Sequence, residues 1–230
     1  MPVYNTTQKL VAEFLGTFAL VFFGAGAICA ERFLQGAGGG VLGAALASGL
    51  AIAILSVAFS HISGAHFNPA VTIGFWITKR LSTLEVLGYW AAQIFGGIFA
   101  AFLLKAILPR DDAWQPVLGG TPDLVRDFTR LPAMGLEALI TFFLVLVYFA
   151  TMSEEDNEHS RSGFAVGLVY TIGILVAGPF TGAALNPARA FGPALASAHW
   201  ANQGVYWVGP LAGGFVAGLI YEALYGKKQL

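Results

Sequence analysis

Long apolar runs alternate with short polar breaks along the whole chain. Six runs, residues 10–30, 40–59, 86–107, 133–152, 163–180 and 204–225, are long enough to cross a bilayer. Crossing about 30 Å of hydrocarbon takes about 20 apolar residues in a helix. In lipid only a helix or a closed barrel satisfies its own backbone, and runs of this length predict helices. Glu13 and Glu137 are the only charges in the central parts of the first and fourth runs, and the other four centres carry none. Polar breaks at 31–37, 109–131 and 153–161 separate the spans. The first run is too long for a signal-peptide core and contains Glu13, so it reads as the first span.

Two further apolar stretches, 67–78 and 183–198, are too short to cross. Near the head of each stands Asn-Pro-Ala, as Asn68-Pro69-Ala70 and Asn186-Pro187-Ala188. Proline suits the first turn of a helix, where its missing N–H is not needed, and asparagine is a good cap. Each stretch is therefore expected to be a half-helix that enters the membrane without crossing it. The irregular backbone leading into it must be buried in protein or line a watery cavity.

The two boxes lie 118 residues apart, and three spans fall in each half. An odd span count inverts the second half, so the half-helices enter from opposite faces and the two asparagines meet near the midplane. The expected organisation is one channel domain, 1–230, with a first repeat at 1–108 and an inverted second repeat at 132–230. AEFLGTFALVFF (12–23) resembles LEALITFFLVLV (136–147), which puts Glu13 and Glu137 at matching places. Intramembrane carboxylates usually carry function. Here the repeat favours a support role over a proton relay: each can accept from backbone N–H groups of the re-entrant loop. Small residues at four-residue spacing (Gly39/Gly43/Ala47, Gly163/Gly167, Gly209/Gly213, Gly214/Gly218) allow close helix packing.

Composition narrows the function. The chain is 57% hydrophobic with only 11% charged residues, against about 25% charged in soluble domains. The net charge of −1 argues against a nucleic-acid partner. Cys29 is the lone cysteine, so no internal disulfide or cysteine-built metal site is expected, and it reads as a small core residue. His61 and His66 lack a third ligand at metal spacing. Either can be a titrating gate or an ordinary loop histidine. No metal or cofactor is expected. Cytoplasmic termini place six basic residues inside and five outside, a weak orientation bias. In that orientation the acceptor motif Asn5-Thr6-Thr7 is silent. The acidic run Glu154, Glu155, Asp156, Glu158 reads as a cytoplasmic turn or a cation-sensing gate, and loop 109–131 as a cover over the outer mouth. A secondary transporter would need a coupled-ion site, yet Glu13, Glu137 and the terminal Glu222 are the only acids the spans offer. An intramembrane enzyme would need a nucleophile–base pair, paired aspartates or a metal motif, and the spans show none.

SGAHFNPAVT (63–72) and TGAALNPARAFGPAL (181–195) closely resemble the paired signatures of the aquaporin, or major intrinsic protein, family. AEFLGTF and YWVGPLAGG (206–214) fit it as well, so the likeness covers essentially the whole chain. It implies an all-α membrane fold of six transmembrane helices plus two re-entrant half-helices. It also implies a homotetramer in the lipid bilayer with one pore per subunit, passing water and small neutral solutes and excluding protons and ions. The carbonyls at Gly64, Ala65 and His66 and at Gly182, Ala183 and Ala184 would then serve as acceptors along the path. Arg189 would stand at a watery outer mouth, with a structural salt bridge as the plainer alternative.

The family's narrow ring falls on Ser48, Ile174, Ala183 and Arg189. Strict water channels usually carry an aromatic at the first place and a histidine at the second, so a wider ring is expected, similar to that of plant vacuolar aquaporins. Against a glycerol facilitator, Ala190 and Ala194 stand where that type has Asp and Lys, and Tyr206-Trp207 is the pair typical of water channels. The expectation is a water channel also permeable to ammonia, urea or similar solutes, with a glycerol facilitator as the alternative. The short termini favour a prokaryotic inner membrane.

Overall fold

The computed structural model describes residues 4–152 and 159–225. Eight helices follow in order: α1 (Thr6–Phe33), α2 (Gly40–Ser63), α3 (Pro69–Ile77), α4 (Thr83–Ile107), α5 (Arg130–Met152), α6 (His159–Thr181), α7 (Pro187–Ser197) and α8 (Gln203–Tyr225). Among the described residues, six helices are long and apolar enough to cross a membrane, at the six places expected. The acidic run at 154–158 lies outside the described residues.

Local sequence sets the helix ends. Asn5 and Gln8 form a reciprocal capping box at the start of α1, and Ser82 and Glu85 form another at the start of α4. The half-helices α3 and α7 start as expected, with proline in the first turn and an extended asparagine cap. α2 stops at Gly64, whose φ of 83° terminates the helix in the left-handed region.

Small residues decide which helices touch. α2 crosses α6 where Gly49 and Gly167 face each other, 118 residues apart like the two asparagines. A β-carbon at Gly49 would lie 2.6 Å from the Gly167 carbonyl oxygen, and one at Gly167 would collide with the Gly49 carbonyl. Gly163 likewise meets α2, Gly209 and Gly213 meet α5, and Gly214 and Gly218 meet α3. The Gly39/Gly43 pair does not pack helices together. Gly39 is a left-handed cap of α2, and a β-carbon at Gly43 would strike the Gly38 carbonyl of the same turn. Gly96 and Gly97 do that work in the first half, against the backbones of α1 and α7.

The main core lies between the half-helices and the long spans, around Leu20, Phe67, Val145, Tyr148 and Leu185. Cys29 is fully buried in α1, in a smaller cluster with Val21 and Trp114. Large apolar side chains such as Leu50, Ile54, Leu168 and Ile172 point outward. That surface suits a lipid environment and would be an aggregation hazard in water.

Candidate functional site

The two re-entrant loops are strained, and in matching ways. Ala65 and Phe67 in the first, Ala183 and Leu185 in the second, all have φ between 46° and 53°. A left-handed non-glycine residue costs about 1–2 kcal/mol, so something must hold each loop in place.

Glu13 and Glu137 supply that hold. Both are fully buried. Glu13 accepts from the Ser63 hydroxyl (2.7 Å), the backbone N–H groups of His66 (2.9 Å) and Phe67 (2.6 Å), and the Gln93 amide (2.8 Å). Glu137 accepts from the Thr181 hydroxyl (2.6 Å) and the N–H groups of Ala184 (3.0 Å) and Leu185 (2.9 Å). These loop N–H groups have no helix to bond within, and a buried unpaired donor costs about 1–3 kcal/mol. Tyrosines brace the same loops from the other side: Tyr89 donates to the Ser63 carbonyl and Tyr206 to that of Thr181, both at close range (2.7 and 2.8 Å).

The loops bring Asn68 and Asn186 together at the centre of the molecule. The Asn68 side-chain oxygen accepts from Ala70 N–H, and that of Asn186 from Ala188 and Arg189 N–H. This fixes which end of each amide is oxygen. The amide nitrogens cross over: Asn68 Nδ2 donates to the Leu185 carbonyl (2.9 Å) and Asn186 Nδ2 to that of Phe67 (2.8 Å). Each NH2 carries two hydrogens. One is committed to the opposite repeat, which leaves one per asparagine to face a passing molecule. The N-termini of α3 and α7 meet here as well, placing positive partial charge at the centre.

Four residues placed far apart in sequence line a single cavity of about 380 Å³ on the outer side: Ser48, Ile174, Ala183 and Arg189. Ser48 leans against Gly24 of α1. Arg189 is buried and donates to the Gly120 carbonyl (2.9 Å). Among the described residues it forms no salt bridge. Loop 109–131 reaches this cavity through a turn at Gln115–Gly120 and on to Thr121 and Asp123 at its wall. Asp123 is fixed there by His199 (2.6 Å) and Asn202 (2.8 Å). Burial pushes the Asp123 carboxyl up, but bonds from Asn202, the Leu124 N–H and His199 outweigh it and hold the group below the usual carboxylate range.

The two histidines part company. His61 lies at the surface, edge-on to Tyr4. His66 is buried beside the asparagines, with Nδ1 3.2 Å from the Thr72 hydroxyl. That hydroxyl donates to the Asn68 carbonyl, so it accepts from both Gln93 and His66. His66 Nδ1 therefore carries a proton.

Tyrosine hydroxyls lie against several of the loop carbonyls. Tyr148 donates to the carbonyls of Gly64 (3.1 Å) and Ala65, and Tyr170 to that of Ala184 (3.0 Å). Two hydroxyls, with one hydrogen each, thus lie against three of the expected acceptors and compete with a permeating molecule for them. Nothing in the apolar runs of α5 and α6 marks these tyrosines as different from core aromatics.

Six spans, two half-helices meeting at a capped asparagine pair and an outer cavity leading to them define a polytopic membrane channel. The sequence matches the Major intrinsic protein family over residues 3–221. It is 41% identical to Aquaporin TIP4-4 of Zea mays, over 95% of this chain and 86% of that one. To Aquaporin-8 of Mus musculus it is 33% identical, over 96% and 84% respectively. The solved aquaglyceroporin of Plasmodium falciparum superimposes with a TM-score of 0.81 at 25% identity, covering 95% of this chain and 96% of that one. The chain belongs to the major intrinsic protein, or aquaporin, family, a family of channels for water and small solutes and not of enzymes. The expectation of a prokaryotic inner membrane finds no support in these two sequence relatives, one from a plant and one from a mammal.

Proposed function

We propose that the protein is a passive water channel whose outer ring, formed by Ser48, Ile174, Ala183 and Arg189, also admits small neutral solutes such as ammonia and urea. The observation that carries this reading is the composition of that ring within a cavity of about 380 Å³, with no aromatic or histidine side chain among the four. Ser48 and Ala183 are small, Ile174 gives an apolar wall, and Arg189 offers donors to a solute while repelling cations. The asparagine pair supports exclusion of protons. A water held by two donors turns both lone pairs inward and cannot accept from its neighbours as well.

The pore residues at Asn68-Pro69-Ala70 and Asn186-Pro187-Ala188 act in one channel domain of two inverted repeats, 1–108 and 132–230, and we place both termini in the cytoplasm. Assembly as a homotetramer belongs to the same reading. A glycerol facilitator is the second reading, favoured by the likeness to the Plasmodium aquaglyceroporin.

Stopped-flow light scattering on proteoliposomes tests the proposal. Water efflux and ammonia uptake are expected well above empty vesicles. Ser48→Phe combined with Ile174→His is expected to lower ammonia uptake with water flow retained. Glycerol flux comparable to water flux would favour the second reading. Solute uptake that depends on a proton or sodium gradient would overturn both.

A further inference from the structure

Beside the asparagine pair lies a second cavity of only about 10 Å³, against about 380 Å³ at the outer ring. The narrow part sits at the level of the asparagine pair, walled by Asn68, Asn186, His66, Ile52, Tyr148 and Tyr170. A site needs roughly 10–15 Å³ of such space to hold one water. The room beside the asparagines is therefore that of a single water, while the outer ring opens into a space many times larger.

Tyr170 and Tyr148 are the two largest side chains on that wall. Both are almost fully buried and are among the largest buried side chains of the protein. Each is pinned by its hydroxyl to a re-entrant loop: Tyr170 to the Ala184 carbonyl, Tyr148 to those of Gly64 and Ala65. A ring bonded at its far end and packed along its face cannot swing aside as a free side chain can. The repeat makes the contrast plain. At the repeat offset of 118 residues, Tyr170 corresponds to Ile52, which lines the same narrow part from α2. One wall is aliphatic and the other is a tethered phenol.

We infer that Tyr170, backed by Tyr148, forms a second and tighter selectivity collar at the asparagine pair. The inference deepens the channel reading and rests on it. The outer ring receives ammonia and urea alike, and the collar passes water and ammonia while stopping urea and glycerol. Selectivity in this chain is thus set at the midplane, and the loss of an aromatic and a histidine from the outer ring is made good by a tyrosine further in. The collar also fixes the path chemically. With Tyr148 and Tyr170 each donating its one hydroxyl hydrogen to the loop carbonyls, a water at the collar takes its bonds from the remaining asparagine hydrogens.

The test compares wild type, Tyr170→Val, Tyr170→Phe and Ile52→Ala in proteoliposomes, reading water, ammonia, urea and glycerol fluxes against empty vesicles. Wild type is expected to conduct water and ammonia but not urea. Tyr170→Val is expected to raise urea flux roughly tenfold or more, as the loss of even a modest steric barrier does. Ile52→Ala opens the same place from the opposite wall and is expected to do likewise, which covers the case of a poorly folded valine variant. Tyr170→Phe keeps the ring but loses its tie to the Ala184 carbonyl, and should raise urea flux less than Tyr170→Val does. Urea or glycerol flux through wild type overturns the collar alone, as does continued exclusion of urea by both Tyr170→Val and Ile52→Ala with water flow intact. Urea flux through Tyr170→Phe as large as through Tyr170→Val overturns it too, because the ring is still present. If wild type conducts no water above empty vesicles, the channel reading falls and the collar with it.

Discussion

Replacing Glu13 by glutamine changes one atom and leaves shape and volume nearly intact, so its effect isolates the acceptor role. The carboxylate takes four hydrogen bonds, from Ser63, His66, Phe67 and Gln93, at 2.6–2.9 Å. Glutamine offers one oxygen for two of them and turns an NH2 toward the other two donors. Gln93 can rotate its amide to accept from the new NH2, but this sacrifices its bond to Thr72. One loop N–H then stays buried and unpaired. Losing a bond to a charged acceptor removes about 1.5–3 kcal/mol and an orphaned donor costs about 1–3 kcal/mol. With the Gln93 adjustment recovering part of this, Glu13→Gln should destabilise the protein by about 2–4 kcal/mol. For a chain of this size that is a fall in melting temperature on the order of 10 °C. Tryptophan fluorescence melts in detergent would measure it, with water flux in proteoliposomes read alongside. A glutamine variant as stable as wild type that had lost only proton-dependent transport would refute the support role and make Glu13 a relay.

Three further outcomes follow from the geometry. Arg189→Val removes a buried cation and its tie to the Gly120 carbonyl, and should raise cation or proton leak, read with a pH-sensitive dye in the vesicle lumen. Gly167→Val forces a side chain into the Gly49 carbonyl across the α2–α6 contact; overpacking costs about 1–3 kcal/mol or more, and the yield of folded protein on size-exclusion chromatography should drop sharply. Asp123 has its carboxyl held low by its bonds to Asn202, the Leu124 N–H and His199. The stability it lends is present in full above the ordinary carboxyl value, about pH 4, and is lost as pH falls through the depressed one. Amide exchange at Leu124 should therefore quicken, relative to distant loops, only on strong acidification.

Much of this architecture was legible because the signals are periodic or repeated. A long apolar run has few structural outcomes in lipid, and all six spans fall where the runs lie. The half-helices were legible from Asn-Pro-Ala because cap and proline each have a fixed local geometry. Glu13 and Glu137 could be paired with the loops because a buried carboxylate needs donors and the loops have donors to give. What escaped is what depends on direction and not on type. Tyr148 and Tyr170 look like any aromatic in an apolar helix until the helix rotation is known. Gln93, which joins Glu13 to Thr72, sits in α4 and belongs to no repeat motif. Gly39 and Gly43 share the spacing of packing glycines, but a turn falls on them.

The crossed bonds from Asn68 to Leu185 and from Asn186 to Phe67 join residues 117 and 119 positions apart. The first half of the chain therefore emerges from synthesis with its own central asparagine unpartnered and its half-helix ending on nothing. No part of the conduit can be completed until α7 has been made and has folded back against α3. A chain that stops short of α7 therefore lacks one side of the central constriction and both of the bonds that lock the two loops together.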